Sequence, residues 1–591
     1  MATITINRIK IDAPDGAMVV EAAKAAGIKI PTMCYLPGRP PLGACRVCLV
    51  EVEGARNLCA ACSTPVTEGM VVNTNNKRVR DARKLVVELL LSEHCGDCQY
   101  CERSEDCELK ELANELGIRE TRFEGEKPPV LLDESSPALI RDSGKCIKCR
   151  RCVTVCNQIQ KVSALFPQNR GYDTLIGPAF ALNLEDVPCV QCGQCAAVCP
   201  VGAIIERSHE AGVWAAIQDD SKHVVVQTAP AIRAALGECF GYPPGTLVTG
   251  RMVTALKMMG FDAVFDTNFT ADLTIMEEGT ELLLRLKKAL VDKQPVALPQ
   301  FSSCSPGWIK FMEHYYPDML DYLSTCKSPQ QMFGALAKTY YAQKLGKKPE
   351  EIVVVSVMPC TAKKFEAGRD EMNDSGVQDV DYVLTTRELG RMINSAGIEF
   401  DKLPESEFDA PLGVSSGAAD IFANTGGVME AAVRTAYEIV TGRGLPMDNL
   451  HIKALAGLQG IKEATLKIEG TKPEWAFLEG VEMRVAVAHT LSNADKLVQQ
   501  IKDGQSPYHF IEVMTCPGGC IGGGGQPRFT DDETREARIA AIYKEDEGKQ
   551  MRKSHDNPDV QKLYAEFLTE GPCGHKSHEL LHTQYTKRGV S

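Results

Sequence analysis

The chain has 591 residues, a formal net charge of −13, and an ordinary globular composition with 44% hydrophobic and 24% charged residues. This length provides for several domains with sizeable cores. The acidic balance, which no basic block offsets, excludes a nucleic-acid-binding protein. The N-terminus has no signal-peptide pattern, and no apolar run reaches the roughly 18 residues that a membrane helix needs. We therefore expect a cytoplasmic protein with no membrane span.

Cysteine is the unusual feature of the composition. The chain has 24 cysteines, and 17 of them precede residue 200, mostly in short regular spacings. Disulfides do not explain them, because the cytosol keeps thiols reduced. Thiolates select zinc, copper(I) or iron–sulfur clusters. The sequence therefore predicts a series of metal clusters.

Residues 1–78 predict a [2Fe–2S] domain. Residues 2–11 alternate as in a strand, and a helix is expected from Val19 to Gly27. A strand, a helix and a cysteine-bearing loop are typical of a plant-type ferredoxin with a β-grasp fold, although the cysteine spacing here is longer. Zinc is the competing interpretation, and Cys59 is left over as a core thiol. The four predicted ligands are Cys34, Cys45, Cys48 and Cys62.

Residues 79–118 predict a small domain with one [4Fe–4S] cluster. A helical pattern from Lys77 to Leu91 leads into a cluster of candidate ligands, namely His94, Cys98, Cys101 and Cys107. Imidazole in place of one thiolate raises the potential of a cluster. Cys95 competes with His94, and spacing alone does not choose between them. A linker is predicted at Lys127-Pro128-Pro129.

Residues 137–209 contain two copies of the cysteine run found in bacterial two-cluster ferredoxins. In that arrangement the fourth cysteine of each run crosses to the other cluster. One [4Fe–4S] is therefore assigned to Cys146, Cys149, Cys152 and Cys199, and its neighbour to Cys189, Cys192, Cys195 and Cys156. Together with the preceding domains, this predicts a four-cluster electron relay.

Residues 210–591 change character and predict a large α/β domain with parallel sheets. The strand candidates are Val224–Val226, Ile352–Val357 and Met483–Ala488, and the helix candidates are Gly250–Met259, Thr280–Val291 and Glu388–Ala396. Three cysteine-bearing segments follow apolar stretches: Ser303-Cys304-Ser305-Pro306, Met358-Pro-Cys360 with Lys363, and Cys516-Pro-Gly-Gly-Cys520 within a run of six glycines. Such positions are where α/β domains bind ligands.

These three segments together resemble the signature loops of the FeFe-hydrogenases, TSCCPxW, MPCxxKxxE and ExMACxxGCxxGGGxP. The cluster-bearing N-terminal part resembles the long clostridial-type members. The resemblance extends to the end of the chain, where Lys553-Ser-His-Asp-Asn and His578-Glu-Leu-Leu-His582 stand. The fold class is therefore multidomain α+β and α/β, with an H-cluster domain and a small-subunit-like C-terminus over residues 210–591.

The resemblance implies an H-cluster, which is a [4Fe–4S] cubane bridged by one cysteine to a two-iron site with CO, cyanide and a dithiolate amine. Cys360, Cys516 and Cys520 match cubane ligands, and Cys520 matches the bridge. Lys363 matches the lysine that donates to a cyanide. The other matched pocket residues are Met358, Met514, Ala229, Pro230 and Gln330, while Ala231 stands where some members have a serine.

The first loop departs from the family pattern. The family has two adjacent cysteines, of which the first moves protons and the second ligates the cubane. Here the pair is Cys304-Ser305, and the 55-residue interval to Cys360 places Ser305 at the ligand position. Three arrangements are open. Ser305 ligates the cubane through its oxygen, or Cys304 takes the place of that ligand, or the cubane has only three protein ligands. Thiolate is the preferred partner of these clusters.

The family's proton route maps onto Cys304, Glu278, Ser324, Glu281 and Arg285. Glu278, Glu281 and Arg285 share one face of a predicted helix. A solvated helix face is the alternative; with the resemblance, a buried glutamate of raised pKa is the better interpretation. The implied reaction is 2H⁺ + 2e⁻ ⇌ H₂, with one [2Fe–2S], three accessory [4Fe–4S] clusters and the H-cluster as cofactors.

Other classes of protein share parts of this pattern. They are an electron-wire subunit of an NADH- or formate-linked complex, a hydrogen-sensing member, and a cluster-binding assembly protein. No Rossmann fingerprint and no flavin motif is found. We therefore expect electrons to come from a ferredoxin or from NADH- or formate-oxidising partner subunits.

Overall fold

The computed structural model describes residues 1–123, 127 and 130–590. Pro128 and Pro129 of the predicted linker lie outside this part of the chain. The first of two compact units comprises 1–157, 163–187 and 198–205, and the second comprises 158–162, 188–197 and 206–591. The predicted two-cluster segment 137–209 thus contributes residues to both units. No helix among the described residues is long and apolar enough to cross a membrane.

The first unit is built from short strands and a few helices. Its five-stranded sheet has the order β2-β1-β5-β3-β4, and a three-stranded sheet has the order β10-β7-β6. The elements are β1 Ala2–Ile6, β2 Ile9–Ala13, α1 Val19–Ala25, β3 Leu49–Val52, β4 Cys59–Ala60, β5 Val71–Asn73, α2 Lys77–Glu93, α3 Glu108–Glu115, β6 Leu132–Asp133, β7 Leu139–Asp142, α4 Arg151–Thr154, β8 Phe166–Gln168, β9 Leu175–Gly177 and β10 Ile204–Glu206.

One detail of the N-terminus differs from the sequence-based expectation. The alternating residues 2–11 form not one strand but an antiparallel hairpin, β1 paired with β2. The turn lies at Asn7 and Arg8, whose φ angles are 50° and 73°. Two residues of positive φ are what a tight type I′ turn requires. Alternation continues across such a turn, so the pattern alone did not reveal it.

The second unit is a large α/β domain. Its elements are α5 Gln194–Val198, α6 Glu210–Ile217, β11 His223–Thr228, α7 Thr249–Met259, β12 Ala263–Asp266, α8 Asn268–Leu290, β13 Gln300–Phe301, α9 Pro306–Tyr315, α10 Pro329–Leu336, α11 Ala342–Leu345, β14 Ile352–Val357, α12 Ala362–Ala367, β15 Tyr382–Leu384, α13 Thr386–Ser395, α14 Gly417–Asp420, α15 Gly427–Thr441, β16 Ile461–Lys467, β17 Glu482–His489, α16 Leu491–Lys502, β18 Phe510–Met514, α17 Asp532–Gly548, α18 Pro558–Glu566 and α19 His575–Leu581.

Two four-stranded sheets form the frame of this unit. One has the order β12-β11-β14-β15 and is parallel throughout. The other has the order β13-β18-β17-β16, in which only β16 runs antiparallel. Strand β14 is buried at every position, as expected for a parallel strand covered on both faces. The predicted strands and helices are present, and α8 starts twelve residues earlier than predicted.

The carboxyl ends of four strands carry the predicted site residues. Ala229 follows β11, Met358 follows β14, Ser302 follows β13 and Thr515 follows β18. In parallel sheets these ends are where ligands bind. Both sheets therefore present their cysteine-bearing loops at the position that the chemistry requires.

Candidate metal centre

In the first unit, the four cysteines predicted for the [2Fe–2S] cluster are buried. The thiol of Cys34 contacts those of Cys45 and Cys62, and Cys48 also contacts Cys62. Cys59 instead lies on β4, with its thiol 3.7 Å from the carbonyl oxygen of Asn57. Four converging thiols are the donor set that such a cluster takes.

Five donors surround the next candidate site. His94, Cys95, Cys98, Cys101 and Cys107 line one cavity of the first unit. Burial, followed by the charges of two nearby lysines, holds the pKa of His94 below its ordinary value, so its imidazole is kept neutral as a metal ligand requires. Because His94 and Cys95 both line the cavity, their placement leaves both as candidate ligands.

The first ferredoxin-type site has its crossing ligand in place. Cys146, Cys149, Cys152 and Cys199 line a single cavity of the first unit. Burial raises the pKa of the Cys146 thiol to about 11. Binding of an iron–sulfur cluster would displace that proton, because cysteine ligates metal as the thiolate.

The cysteines assigned to the neighbouring cluster are divided between the units. Cys156 belongs to the first unit, and Cys189, Cys192 and Cys195 belong to the second. Within the second unit, burial and the proximity of Cys516 raise the pKa of Cys192. The relay segment of this unit thus comes close to the glycine-rich loop.

Three thiols of the second unit lie close together on the loops that follow β14 and β18. Cys360, Cys516 and Cys520 lie close enough for the charge of one to act on the others. Burial raises the pKa of each thiol, in Cys520 to about 12. Buried thiols without a partner cation are costly to ionise, whereas an iron–sulfur cluster compensates that cost. The residues therefore fit a cubane.

The glycines of the loop are required by close packing. A Cβ on Gly523 would lie 2.1 Å from the carbonyl oxygen of Pro359, which precedes Cys360. A Cβ on Gly524 would lie 2.2 Å from the carbonyl oxygen of Cys192. Real Cβ atoms do not approach backbone this closely, so only glycine permits the approach. The loop is thus packed against the backbone of two other cysteine-bearing segments.

Ser305 is placed beside the cysteine loop. Its Oγ lies 2.8 Å from Oγ1 of Thr515 and accepts a hydrogen bond of 3.3 Å from the backbone N–H of the same residue. Thr515 directly precedes Cys516. The adjacent Cys304 thiol is instead within electrostatic range of Glu278 and Cys520, and burial raises its pKa well above the ordinary value.

The matched pocket residues surround these thiols. Lys363 is buried, and its Nζ donates to the Cys304 carbonyl oxygen at 3.2 Å and to Glu366 at 2.8 Å. The side-chain nitrogen of Gln330 donates to the backbone oxygen of Lys363 at 3.2 Å. The remaining pocket residues, all buried, are Met358, Met514, Ala229, Pro230 and Ala231.

The proton-route residues lie together on and around α8. Glu278 is fully buried, and this burial, followed by the charge of Glu281, raises its pKa to about 8. The hydroxyl of Ser324 donates to Glu281 at 2.6 Å and is close enough to Glu278 to lower its pKa. Arg285 donates to Glu281 at 2.7 Å. The interpretation as a merely solvated helix face therefore does not hold for Glu278.

Two glutamines that sequence reasoning missed hold the loop. Gln194 donates to the backbone oxygen of Gly522 at 2.9 Å and to the Cys516 thiol. Gln526 bonds the backbone oxygens of Ala231 and Cys520, each at 3.3 Å. Gln194 stands inside the Cys192-Gly-Gln-Cys195 run, where only the cysteines drew attention. No local pattern reveals its partner more than 300 residues away.

Known proteins resemble the chain over its whole length. The family described as iron only hydrogenase large subunit, C-terminal domain, matches residues 222–524. The iron hydrogenase small subunit family matches 532–588. A 2Fe-2S iron-sulfur cluster binding domain matches 1–77, the NADH-ubiquinone oxidoreductase-G iron-sulfur binding region 83–122, and a 4Fe-4S dicluster domain 145–203.

The relatives agree with this. The NADP-reducing hydrogenase subunit HndD of Solidesulfovibrio fructosivorans is 51% identical, and the match covers 100% of this chain and 99% of that protein. Iron hydrogenase 1 of Clostridium pasteurianum is 40% identical over 99% of this chain and 100% of its own. The chain belongs to the FeFe-hydrogenases.

A solved structure of an FeFe-hydrogenase, HydA1 from Chlamydomonas reinhardtii, has a TM-score of 0.58 and 44% identity, covering 65% of this chain and 100% of that one. The expected multidomain fold, the hydrogenase activity and the cluster types are thereby confirmed. This FeFe-hydrogenase is an oxidoreductase acting on H₂, with N-terminal iron–sulfur domains that relay electrons to an H-cluster domain.

Proposed function

We propose that this hydrogenase works as the H₂-converting subunit of an NAD(P)-linked assembly. The support is the 51% identity, over the whole chain, to a subunit of an NADP-reducing hydrogenase. The chain itself carries no nucleotide fingerprint, so a partner that oxidises or reduces the nucleotide would supply that chemistry. Ferredoxin is the alternative electron donor. A pull-down of the native protein tests this, because a partner with a flavin or a nucleotide site is expected among the captured proteins.

The relay comprises one [2Fe–2S] and three accessory [4Fe–4S] clusters, in domains 1–78, 79–118 and 137–209, and ends at the H-cluster domain 210–591. The contact that carries this proposal is in the second unit. The Cys192 backbone packs against Gly524, and the neighbouring Gln194 donates to the Cys516 thiol. Electrons leaving the last accessory cluster would reach the cubane there.

Cys360, Cys516 and Cys520 would hold the cubane, with Cys520 joining it to the two-iron site. When bound, the H-cluster supplies the redox chemistry of 2H⁺ + 2e⁻ ⇌ H₂. The protein supplies ligation, hydrogen bonds and a pocket closed to bulk water. Lys363, oriented by Glu366, contributes a buried positive charge beside Cys304.

Ser305 is proposed as the fourth cubane ligand, through oxygen. Both the hydroxyl and the backbone N–H of Thr515 converge on its Oγ. Two donors of this kind stabilise an anionic oxygen through charge-assisted hydrogen bonds. Cys304 then stays available to move protons between the pocket and Glu278.

Protons would travel by Cys304, Glu278, Ser324, Glu281 and Arg285. The observation that carries this route is the hydroxyl of Ser324, which donates to Glu281 at 2.6 Å and is close enough to Glu278 to lower its pKa. Glu278 with a pKa of about 8 both accepts and releases a proton near neutral pH.

The substitution Glu281→Gln tests the route. We expect H₂ evolution to fall by roughly 10²-fold or more, because proton transfer by a positioned carboxyl contributes that much. Cluster iron and the infrared CO and CN bands should stay unchanged. The control is Glu482→Gln, which changes an exposed glutamate that pairs with Arg484. Unaltered activity of Glu281→Gln would remove Glu281 from the route, and absence of CO and CN bands in the matured wild type would exclude the H-cluster.

A further inference from the structure

The C-terminal motif His578-Glu-Leu-Leu-His582 has no part in the proton route described above. The segment around it is nevertheless hydrogen-bonded to the backbone that follows Ser324, a residue of the route. Cys326 and His582 form a β-bridge, and the flanking amides of Lys327 and Thr583 each donate a 2.8 Å hydrogen bond across it. The motif is therefore held beside α8 rather than free at the surface.

The buried imidazole of His582 lies at the centre of a chain of ionisable groups. Its Nδ1 is 4.0 Å from the Cys326 thiol and 2.8 Å from the hydroxyl of Thr325. Its Nε2 is 3.3 Å from a carboxylate oxygen of Glu277. The thiol of Cys326 in turn donates to Glu281 at 3.8 Å. A side chain of the proposed route is thus linked to His582 through one thiol.

The chain of groups continues to the surface. The ring of His578, an exposed residue on α19, lies 4.3 Å from that of His582, centre to centre. At this separation the two imidazole rings are in direct contact. Glu277 is anchored by the Tyr564 hydroxyl at 2.5 Å and the Cys573 amide at 2.6 Å. Burial by itself would raise the pKa of Glu277. These two hydrogen bonds and the one to His582 nevertheless hold that pKa below its ordinary value. Glu277 is therefore an anion facing an imidazole.

We propose that His582 carries a second branch of the proton route, which joins the first at Glu281 through the Cys326 thiol and opens to solvent at His578. This inference rests on the proposed route through Glu281. Glu277 acts as a positioning residue that stabilises the charged form of His582. An imidazole suits this task because it accepts a proton at one nitrogen and releases one at the other.

One proton moves inward without any electron transfer. His578 takes a proton from solvent and passes it to His582, and Glu277 stabilises the resulting imidazolium. His582 then gives a proton from Nδ1 to Cys326 as the Cys326 thiol gives its own to Glu281. Cys326 ends as a thiol again, whereas His582 ends as its other tautomer, so a rotation of its ring restores the starting tautomer before the next proton. H₂ oxidation runs the same steps outward.

Two parallel branches make a specific prediction for double variants. Arg285→Met should impair the first branch and His582→Gln the second, and each single variant should slow H₂ evolution only slightly because the other branch remains. The double variant should fall about tenfold or more below the product of the two single effects, since the two sites act on one function. Rates are measured with a reduced dye, and cluster iron and infrared bands report integrity.

The same helix offers a matched control. His575 is exposed and paired with Glu579, so His575→Gln combined with Arg285→Met should equal Arg285→Met alone. If His582→Gln does not retain its clusters, His578→Gln replaces it, because an exposed position tolerates the change. The alkaline limb of the pH–rate profile should also move in the Arg285→Met background on loss of either imidazole. The groups facing the pair are Glu277, Glu281, Cys326 and His575.

The outcomes separate the two proposals. Single effects that multiply, with no shift of the pH profile, would overturn the second branch and leave the first route standing if Glu281→Gln still slows turnover sharply. Full activity of Glu281→Gln would instead overturn the proposed route and the branch with it. An equal loss in the His575 control would assign the effect to helix packing and would also overturn the branch.

Discussion

At the scale of single residues, Ser305 is the departure with the largest consequence. An oxygen ligand carries more localised charge than a thiolate and so favours oxidised iron. The structure directs the Ser305 hydroxyl to Thr515 and leaves Cys304 within range of Glu278. In the proposed assignment, Ser305 ligates the cubane and Cys304 transfers protons, two roles that the sequence alone left competing for Cys304.

We expect Ser305→Cys to raise the reduction potential of the cubane, because a thiolate replaces the harder oxygen donor. A redox titration followed by electron paramagnetic resonance, on protein that holds the cubane without the two-iron site, measures the change. Ser305→Ala should make the cubane labile to chelators. Identical spectra and potentials in the wild type and both variants would show that residue 305 is not a ligand.

Glu278 predicts a particular pH dependence. Its pKa of about 8 means that it holds a proton at neutral pH, so H₂ evolution should fall as pH rises through about 8. The charge of Glu281 contributes to this raised pKa. In Glu281→Gln, the residual activity should therefore fall at a lower pH than in the wild type. The contribution of Glu278 to the free energy of unfolding changes over the same pH range. It is fully present below the ordinary glutamate pKa of 4.5 and is lost as pH rises through about 8. A limb that stays in place in Glu281→Gln would contradict this assignment.

At the scale of elements, the parallel strands and their loops determine the site. Strands β13, β14 and β18 end two or three residues before Cys304, Cys360 and Cys516, and β11 ends directly before the pocket residue Ala229. The glycines of the loop after β18 pack directly against the backbone of the other cysteine-bearing segments, where no side chain would fit. Because the relay segment at Cys192 packs against this same loop, we expect a change in the packing to affect electron transfer as well.

Gly524→Ala tests this packing. A Cβ there would meet the carbonyl oxygen of Cys192, and we expect overpacking to lower the free energy of unfolding by about 1–3 kcal/mol. Dye-linked turnover should fall as well, because Gly524 borders the cubane loop. Thermal unfolding and a turnover assay measure both. Gly548→Ala at the end of α17 meets no atom within 4 Å and should change neither; a tolerant Gly524→Ala would refute the close approach.

At the scale of the whole molecule, the chain combines an electron relay with the separate proton route that we propose. The iron–sulfur domains precede the hydrogenase domain in sequence. In this proposal, electrons and protons reach the same pocket through different parts of the protein. The two supplies can be interrupted independently.

Cys45→Ala should remove the [2Fe–2S] cluster, because alanine offers no ligand atom, and abolish turnover with the physiological electron partner. Turnover with a small reduced dye should remain near the wild-type rate, because a dye can deliver electrons to later clusters. Comparing the two assays on one preparation tests the order of the relay. Equal losses in both assays would contradict a role for this cluster at the start of the relay.

The sequence by itself determined the chemistry of this protein. Short cysteine spacings identify the accessory clusters without knowledge of the fold, because most ligands of each such cluster stand close together on one loop. The three loop motifs likewise carried the family resemblance, and the buried apolar runs predicted the strands of both sheets.

Only the tertiary structure decided which distant groups meet. Gln194 on Cys516, Thr515 on Ser305 and His582 on Glu277 each join segments far apart in the chain. No periodicity encodes such a pair, because each contact depends on how whole elements pack. The same holds for Glu278, whose raised pKa arises from burial that its position on a helix face does not reveal.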